Sequence, residues 1–186
     1  MTEKQFLEKV HRRVAQTCIG SSAIRNQGAG GLIDCMRYYF EHNIDIRRFM
    51  VAVEEERKYQ AFLNHHTDKV LNLFPRNAQR WGAARKGLNL FFRDVTYNQF
   101  LAQYYGIPRG FKRYNQFVQH LEVPLDKEVG LRIRRDSGGM APRWISIKTL
   151  TPNISENYQS YALRIAKDLG VARVNLDLIY WREAEK

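Results

Sequence analysis

The sequence predicts an all-α protein. Apolar residues recur with the helical period of about 3.6 residues in most segments, and residues that favour helix starts or ends stand at the segment boundaries. Of the 186 residues, 44% are hydrophobic and 12% are aromatic, so the chain can bury a core. We expect a single compact domain over residues 1–186, with two helical lobes that meet near residues 74–76 and a cleft between them.

The first part of the chain is predicted to be a series of helices. Thr2 and Gln5 form a capping-box pair in front of the first apolar helix face. Residues 31–42 have helical spacing, and Asp45 is placed to cap the next helix. A further helical segment is expected to end near residues 74–75, where a proline follows a phenylalanine.

The second part continues the pattern. Residues 78–105 are predicted to be helical, and residues 111–121 form a short helix before Pro124. Ser155 precedes the last amphipathic helix, which Gly170 is placed to end. Residues 171–181 fit either a strand or a helix by their pattern alone.

Residues 78–105 carry two different faces. Lys86, Asn89 and Arg93 fall at i, i+3 and i+7, so they share one side of the helix. The opposite side is apolar and consists of Trp81, Ala84, Leu88, Phe91, Phe92 and Val95.

The charge balance indicates a polyanionic partner. Thirty lysines and arginines against 19 acids give a net charge of +11 and a pI near 9.8. Such a surplus favours binding to nucleic acid or to an anionic surface, although a basic globular protein without such a partner is the alternative.

Cysteine usage and hydropathy bear on the compartment. Cys18 and Cys35 do not make a disulfide framework, so we expect reduced cysteines in a cytoplasmic protein. No apolar run approaches the roughly 18–20 residues that span a bilayer, and the N-terminus has no apolar signal core. We therefore expect no membrane partner.

Residues 122–129 hold the most informative motif of the chain. Pro124 turns the chain away from helix, and Asp126 stands where a new helix begins. An aspartate at that position accepts from exposed N–H groups and stays ionised there. In a protein this basic, a fixed carboxylate with a lysine-bearing helix upstream suggests chemistry on a polyanion.

Three segments carry a family resemblance. Val-Pro-Leu-Asp-Lys-Glu-Val at residues 123–129 resembles the "hydrophobic-Pro-Val-Asp-x-x-Val" signature of the helix–hairpin–helix DNA glycosylase superfamily. Residues 82–92 are similar to the lysine-bearing helix of its archaeal oxoguanine glycosylase branch, an N-glycosylase/DNA lyase group. Residues 174–181 are similar to the "Leu-Asp-x-x-Leu-Trp" tail of that branch. The resemblance covers roughly residues 80–182.

The chain also departs from this family. The compact Leu-Pro-Gly-Val-Gly hairpin is absent, and its nearest stand-in, residues 105–110, follows the lysine helix instead of preceding it. The iron–sulfur cluster of some members is excluded, because it needs more cysteines than the two present here.

The resemblance implies a two-lobed glycosylase-like fold and an enzyme that flips a base from double-stranded DNA and hydrolyses its N-glycosidic bond. Asp126 would be the catalytic carboxylate, whereas a plain helix cap is the alternative. Lys86 would be the amine of an AP lyase, attacking the sugar to form a Schiff base. A solvated lysine that touches phosphate is the other interpretation of Lys86. The resemblance also favours a helix over residues 171–181.

Base recognition is predicted in the glycine-rich loop at residues 22–31. Amides offer a donor and an acceptor to the edge of a flipped base, which points to Asn26 and Gln27. An ordinary polar turn is the alternative. Trp181 is a further base-binding candidate, because it matches the family tail. Asp177 also matches that tail, with a structural role as a hydrogen-bond acceptor as the alternative.

Basic residues crowd the segments that flank the catalytic candidates, which predicts strong salt dependence of DNA binding. We expect no metal and no cofactor, because His65 and His66 diverge on a helix and the other histidines are scattered. We expect a monomer. The predicted DNA contacts are Arg25, Arg80, Arg85, Arg132 and Lys148.

The sequence does not identify the base that would be excised. The family acts on oxidised, alkylated, deaminated or mismatched bases in base excision repair, and a hypermodified phage base would make the protein an anti-phage defence enzyme. A non-catalytic helical DNA- or RNA-binding module is the rival interpretation, because it needs the basic surface but neither Asp126 nor Lys86.

Overall fold

A computed structural model of the protein describes residues 1–24 and 27–181. Within these ranges the chain forms ten α-helices and no β-strand, which confirms the predicted all-α class. None of the described helices has the length and apolar character needed to cross a bilayer. The predicted site residues Arg25 and Asn26 lie outside the described residues.

Of the first four helices, the first and third begin at side-chain caps, whereas the second and fourth begin without one. Thr2 and Gln5 form both bonds of the predicted capping box, at 3.2 Å and 2.9 Å. Asp45 accepts from the backbone N–H of Arg47 at 2.8 Å, as predicted for a cap. The helices are α1 (Glu3–Thr17), α2 (Leu32–His42), α3 (Ile46–Val53) and α4 (Glu56–Leu73).

The predicted helix over residues 78–105 is divided in two. Asn98 interrupts it, and the Asn98 side chain accepts from two backbone N–H groups, each at 3.1 Å, to start the second helix. The helices are α5 (Trp81–Tyr97), α6 (Gln99–Tyr105) and α7 (Phe111–Phe117).

The predicted start of the last long helix is wrong. Ser155 does not precede the last long helix; Thr151 caps it, with Pro152 at the first helical position, and Ser155 is buried inside it. Residues 173–180 are helical rather than extended, as a 3-10 turn that leads into a short α-helix. The helices are α8 (Lys127–Asp136), α9 (Pro152–Asp168) and α10 (Leu176–Tyr180), and short 3-10 turns cover Arg76–Ala78, Ile147–Thr149 and Arg173–Asn175.

Two hydrophobic clusters form the core. The first is built from α1–α6 and contains stacked aromatic pairs such as Phe49 and Phe92, whose ring centroids are 4.6 Å apart. The second is built mainly from α8, α9 and α10. Along the chain the first cluster gives way to the second at Glu122, although Ala172 and Val174 return to the first. Residues 74–76, the predicted boundary, follow α4 and include Phe74 of the first cluster.

Helix α5 runs through the centre and positions the site. It packs against α1, α2, α4, α6 and α9, and every residue from 82 to 92 is buried. The predicted polar face is therefore not a solvent face. Instead, Arg85, Lys86 and Asn89 find polar partners inside the protein, as buried charges require.

Candidate functional site

Lys86 and Asp126 meet although forty positions separate them in the chain. The Lys86 Nζ lies 3.2 Å from Asp126 Oδ2 and donates a second hydrogen bond to the carbonyl of Ala23 at 3.0 Å. Helix α5 supplies the lysine, and the first residue before α8 supplies the carboxylate. The two predicted catalytic residues therefore form one contact.

Asp126 has two separate tasks at this point. Its Oδ1 accepts from the backbone N–H of Val129 at 3.0 Å and so caps α8, while Oδ2 accepts from Lys86. The Asp126 side chain is 34% exposed, whereas that of Lys86 is 6% exposed. Solvent, or a ligand, can therefore reach the carboxylate more easily than the amine.

A second acid–base pair lies beside the first. Arg93, two turns along α5 from Lys86, forms an ion pair with Asp177 of α10 and another with Asp94. Burial raises the pKa of the Asp177 carboxyl, Arg93 opposes that rise, and the negative charge of Asp126 adds to it. The i, i+7 spacing of Lys86 and Arg93 indicated this shared face, but not its acidic partners.

The loop before α2 reaches the lysine. Ala23 supplies the carbonyl that holds Lys86, and Gln27 is buried. The carbonyl of Gly28 accepts from Asn77 Nδ2 at 3.1 Å, and a Cβ on Gly28 would lie 2.9 Å from the Asn77 carbonyl oxygen. This close approach needs a glycine, so the loop is held against the connection that leads into α5.

The predicted DNA contacts divide between surface and core. Arg80 and Lys148 are exposed, and Arg132 is half-buried on α8. Arg85 is placed differently from the prediction, because it is 4% exposed and its guanidinium is enclosed by partners inside the protein. We therefore do not retain Arg85 as a DNA contact. Trp181 follows α10 and is 67% exposed.

The partner of Arg85 is Glu122, which sequence reasoning missed. Arg85 Nε and Nη2 each lie 2.8 Å from a carboxylate oxygen of Glu122, and Asn89 donates to the same group at 3.2 Å. Burial would raise the pKa of Glu122, but Arg85 and Arg173 outweigh it and hold the pKa below its ordinary value. The sequence contains one signal for this buried pair: Glu122 stands between Leu121 and Val123, in a stretch too apolar for a solvent-exposed acid.

The described residues around Lys86 and Asp126 form no metal site. Across residues 1–24 and 27–181, no three histidine, cysteine or acidic side chains are grouped so that they could hold a metal ion. Comparisons of the chain with protein-family models, with curated proteins and with solved structures found no match. The geometry of Lys86 and Asp126 therefore carries the functional argument.

Proposed function

We propose that this protein is a DNA glycosylase that flips a damaged or modified base from double-stranded DNA and cuts its N-glycosidic bond. The observation that carries the proposal is the contact between Lys86 Nζ and Asp126 Oδ2 at 3.2 Å, with the carboxylate partly exposed and the amine shielded. A shielded lysine beside a capping aspartate has the groups that base excision needs, and the resemblance of residues 123–129 to the glycosylase signature points the same way.

Asp126 supports bond cleavage in either of two ways. As the base leaves, positive charge develops on the sugar, and the fixed carboxylate stabilises that charge. In hydrolysis, Asp126 takes a proton from a water whose oxygen forms the new bond to C1′. The bond between C1′ and the base breaks, and the base leaves with the electron pair and gains a proton. Lys86 then stays protonated and orients the carboxylate.

The second route uses Lys86 as the nucleophile. Its ammonium first transfers a proton to Asp126, which lies within hydrogen-bond distance. The neutral amine forms the bond to C1′ as the base leaves with the bonding electrons and takes up a proton. Loss of a proton from the new C1′–nitrogen centre and opening of the C1′–O4′ bond, with protonation of O4′, give a protonated Schiff base. Strand cleavage by an AP lyase follows from that intermediate.

The proposed setting is a monomer acting on double-stranded DNA in the cytoplasm. The net charge of +11 favours a polyanion, and Arg80 and Lys148 are exposed and able to contact phosphates. Cys18 and Cys35 are free rather than joined in a disulfide, which suits a reducing compartment.

The decisive experiment measures abasic-site formation by wild type and Asp126→Asn. The DNA panel contains oxidised, alkylated, deaminated, mismatched and phage-type hypermodified bases. We expect release of one class of base by wild type and none by Asp126→Asn, with DNA affinity retained, because asparagine also caps a helix. Glu128→Gln, an exposed acid in the first turn of α8, is the matched control and should remain active.

The outcomes separate the two classes of function. Normal base release by Asp126→Asn would overturn the role of that carboxylate. Salt-sensitive binding without abasic sites on any DNA would instead indicate the non-catalytic nucleic-acid-binding module. The class of DNA that reacts also distinguishes repair of a lesion from defence against phage DNA.

A trapping experiment tests Lys86 separately. Borohydride reduces a Schiff base to a stable amine, so wild type should cross-link to DNA and Lys86→Gln should not. Lys127→Gln removes an exposed lysine next to Asp126 and should cross-link like wild type. Equal cross-linking by Lys86→Gln would show that another amine reacts, and base release by wild type without any cross-link would favour the hydrolytic route.

A further inference from the structure

A cavity lies beside α5, where it is lined by Trp81 and Arg85. It has a volume of about 400 Å³, is open to solvent on one side, and is bordered by α4, α9, the start of α5, Glu122 and Arg173. Small-molecule sites in proteins typically occupy roughly 300–1,000 Å³. Lys86 and Asp126 are not among its lining residues, so it is separate from the proposed catalytic pair.

The floor of this cavity is formed by buried polar side chains, whereas Glu56, Asn64, Glu156 and Ser160 at its rim are exposed. Arg85, Glu122, Ser155, Gln159 and Arg173 all line it, and each is between 2% and 5% exposed. Empty cavities in proteins are usually apolar, because a buried polar group without a partner destabilises the fold. This cavity opens at an exposed rim, so its buried polar side chains can be satisfied by water or by a polar ligand.

Two of these side chains retain unused hydrogen-bonding groups. The hydroxyl of Ser155 makes no hydrogen bond to any residue that the structure describes. Arg173 donates from Nε to the carbonyl of Leu121 at 3.0 Å and from Nη2 to the carbonyl of His120 at 2.9 Å. Its Nη1 makes no hydrogen bond within the described chain. The two backbone acceptors fix the guanidinium, and its remaining nitrogen can donate to an acceptor on a ligand.

The other polar groups of the floor are already satisfied. Gln159 uses both ends of its amide on the backbone N–H and carbonyl of Val123, at 3.0 Å and 2.9 Å. Both carboxylate oxygens of Glu122 accept hydrogen bonds from Arg85. Among the buried polar groups that line the cavity, Ser155 and Arg173 can therefore still donate hydrogen bonds to an acceptor on a ligand.

The exposed rim of the cavity is acidic and therefore suits hydrogen-bond donors. Glu56 and Glu156 are exposed carboxylates on its two walls, so they attract donors and oppose an anionic ligand. The half-buried ring of Trp81 borders the same space, and the Arg85 guanidinium lies 5.3 Å from its centroid. Planar ligands pack favourably against flat side chains of this kind.

We propose that this cavity binds a free nucleobase or its nucleoside. Such a molecule is neutral and planar, carries carbonyl acceptors for Ser155 and Arg173, and carries N–H donors for the acidic rim. The proposal stands on the cavity and not on the chemistry of Asp126, although a glycosylase would itself release free bases. Binding and base release therefore succeed or fail independently.

The test is calorimetric titration of the 186-residue chain with the four common bases and their nucleosides. Inorganic phosphate and L-glutamine serve as an anionic and a zwitterionic contrast. We expect saturable one-to-one binding of at least one base or nucleoside, and the better binder of each pair tells whether the sugar contributes. The proposal is overturned if every base and nucleoside binds more weakly than about 1 mM, or if phosphate or glutamine binds in preference.

Single substitutions test whether Ser155 and Arg173 contact the ligand. Ser155→Ala should weaken binding about 5-fold or more, because it removes one hydrogen bond to the ligand, and Arg173→Lys should weaken it about 10-fold or more. Ser160→Ala is the matched control, since Ser160 lines the same cavity but donates its hydroxyl to the Glu156 carbonyl at 2.9 Å. Asp126→Asn should bind like wild type. Unchanged affinity in Ser155→Ala, a substitution that removes one oxygen atom, would overturn the assignment even if Arg173→Lys failed to fold.

Discussion

Neighbouring residues of α5 serve different parts of the molecule. Arg85 points its guanidinium at Glu122, whereas Lys86 contacts Asp126 and the Ala23 carbonyl. Successive residues of a helix are rotated by about 100°, so adjacent cations can face different elements. Arg85 is part of a bidentate buried pair that supports the fold. Lys86 meets a carboxylate that solvent still reaches, which is why it suits chemistry.

The Arg85–Glu122 pair gives a prediction at the scale of one residue. Glu122→Ala should lower the free energy of unfolding by about 3–5 kcal/mol, because Arg85 would stay buried without its counter-charge. Urea denaturation provides the measurement. Glu55→Ala removes a surface partner of Lys58, 2.9 Å away, and should shift the midpoint little. A similar small shift in both variants would show that Glu122 does not stabilise the fold in this way.

At the scale of elements, helix starts were predictable where the signal is local. Thr2, Asp45 and Asp126 cap the helices that they were expected to cap, because a cap and its N–H partner lie within three residues. The same type of signal, Thr151 followed by a proline, marks the start of α9, so the prediction from Ser155 is wrong. The apolar pattern alone does not show where the first turn begins, because residues 151–153 at its start are exposed.

Partners that are distant in the chain were not predictable in the same way. The polar face of α5 was correctly placed on one side, yet the pattern did not reveal that another layer of protein covers it. The contact of Lys86 with Asp126 was expected only as proximity, and the contact of Arg85 with Glu122 was not expected. Periodicity defines a face, whereas tertiary packing decides what meets that face.

Close packing at the start of α5 gives a prediction at this scale. A Cβ on Gly82 would lie 2.5 Å from the carbonyl oxygen of Ile147 and 2.8 Å from the Cβ of Leu150. Gly82→Ala should therefore lower the free energy of unfolding by about 1–3 kcal/mol, despite the better helix propensity of alanine. Gly20→Ala is the control, since nothing lies within 4 Å of the added atom. Equal thermal midpoints for the two variants would contradict the packing argument.

At the scale of the whole molecule, residues 122–126 join the two hydrophobic clusters through charge. Glu122 and Asp126 stand at the two ends of this segment, and each forms an ion pair with α5, which belongs to the first cluster. Val123 and Leu125, between them, belong to the second cluster. The segment therefore alternates between polar contacts to one cluster and apolar contacts to the other. The catalytic candidate Asp126 is thereby fixed at the junction of the two.

The electrostatic field of the whole protein leads to the last prediction. If the net charge of +11 serves DNA binding, the logarithm of the affinity should fall linearly with the logarithm of salt concentration, with a slope of about −0.9 for each phosphate neutralised. Arg80→Gln and Lys148→Gln should each make that slope shallower by about one, since both side chains are exposed and free to release counterions. Lys9→Gln, an exposed lysine on α1, is the charge-matched control and should leave the slope unchanged. If all three variants changed the slope equally, the field would act through total charge alone, and the placement of DNA beside the start of α5 and the Ile147–Thr149 turn would be wrong.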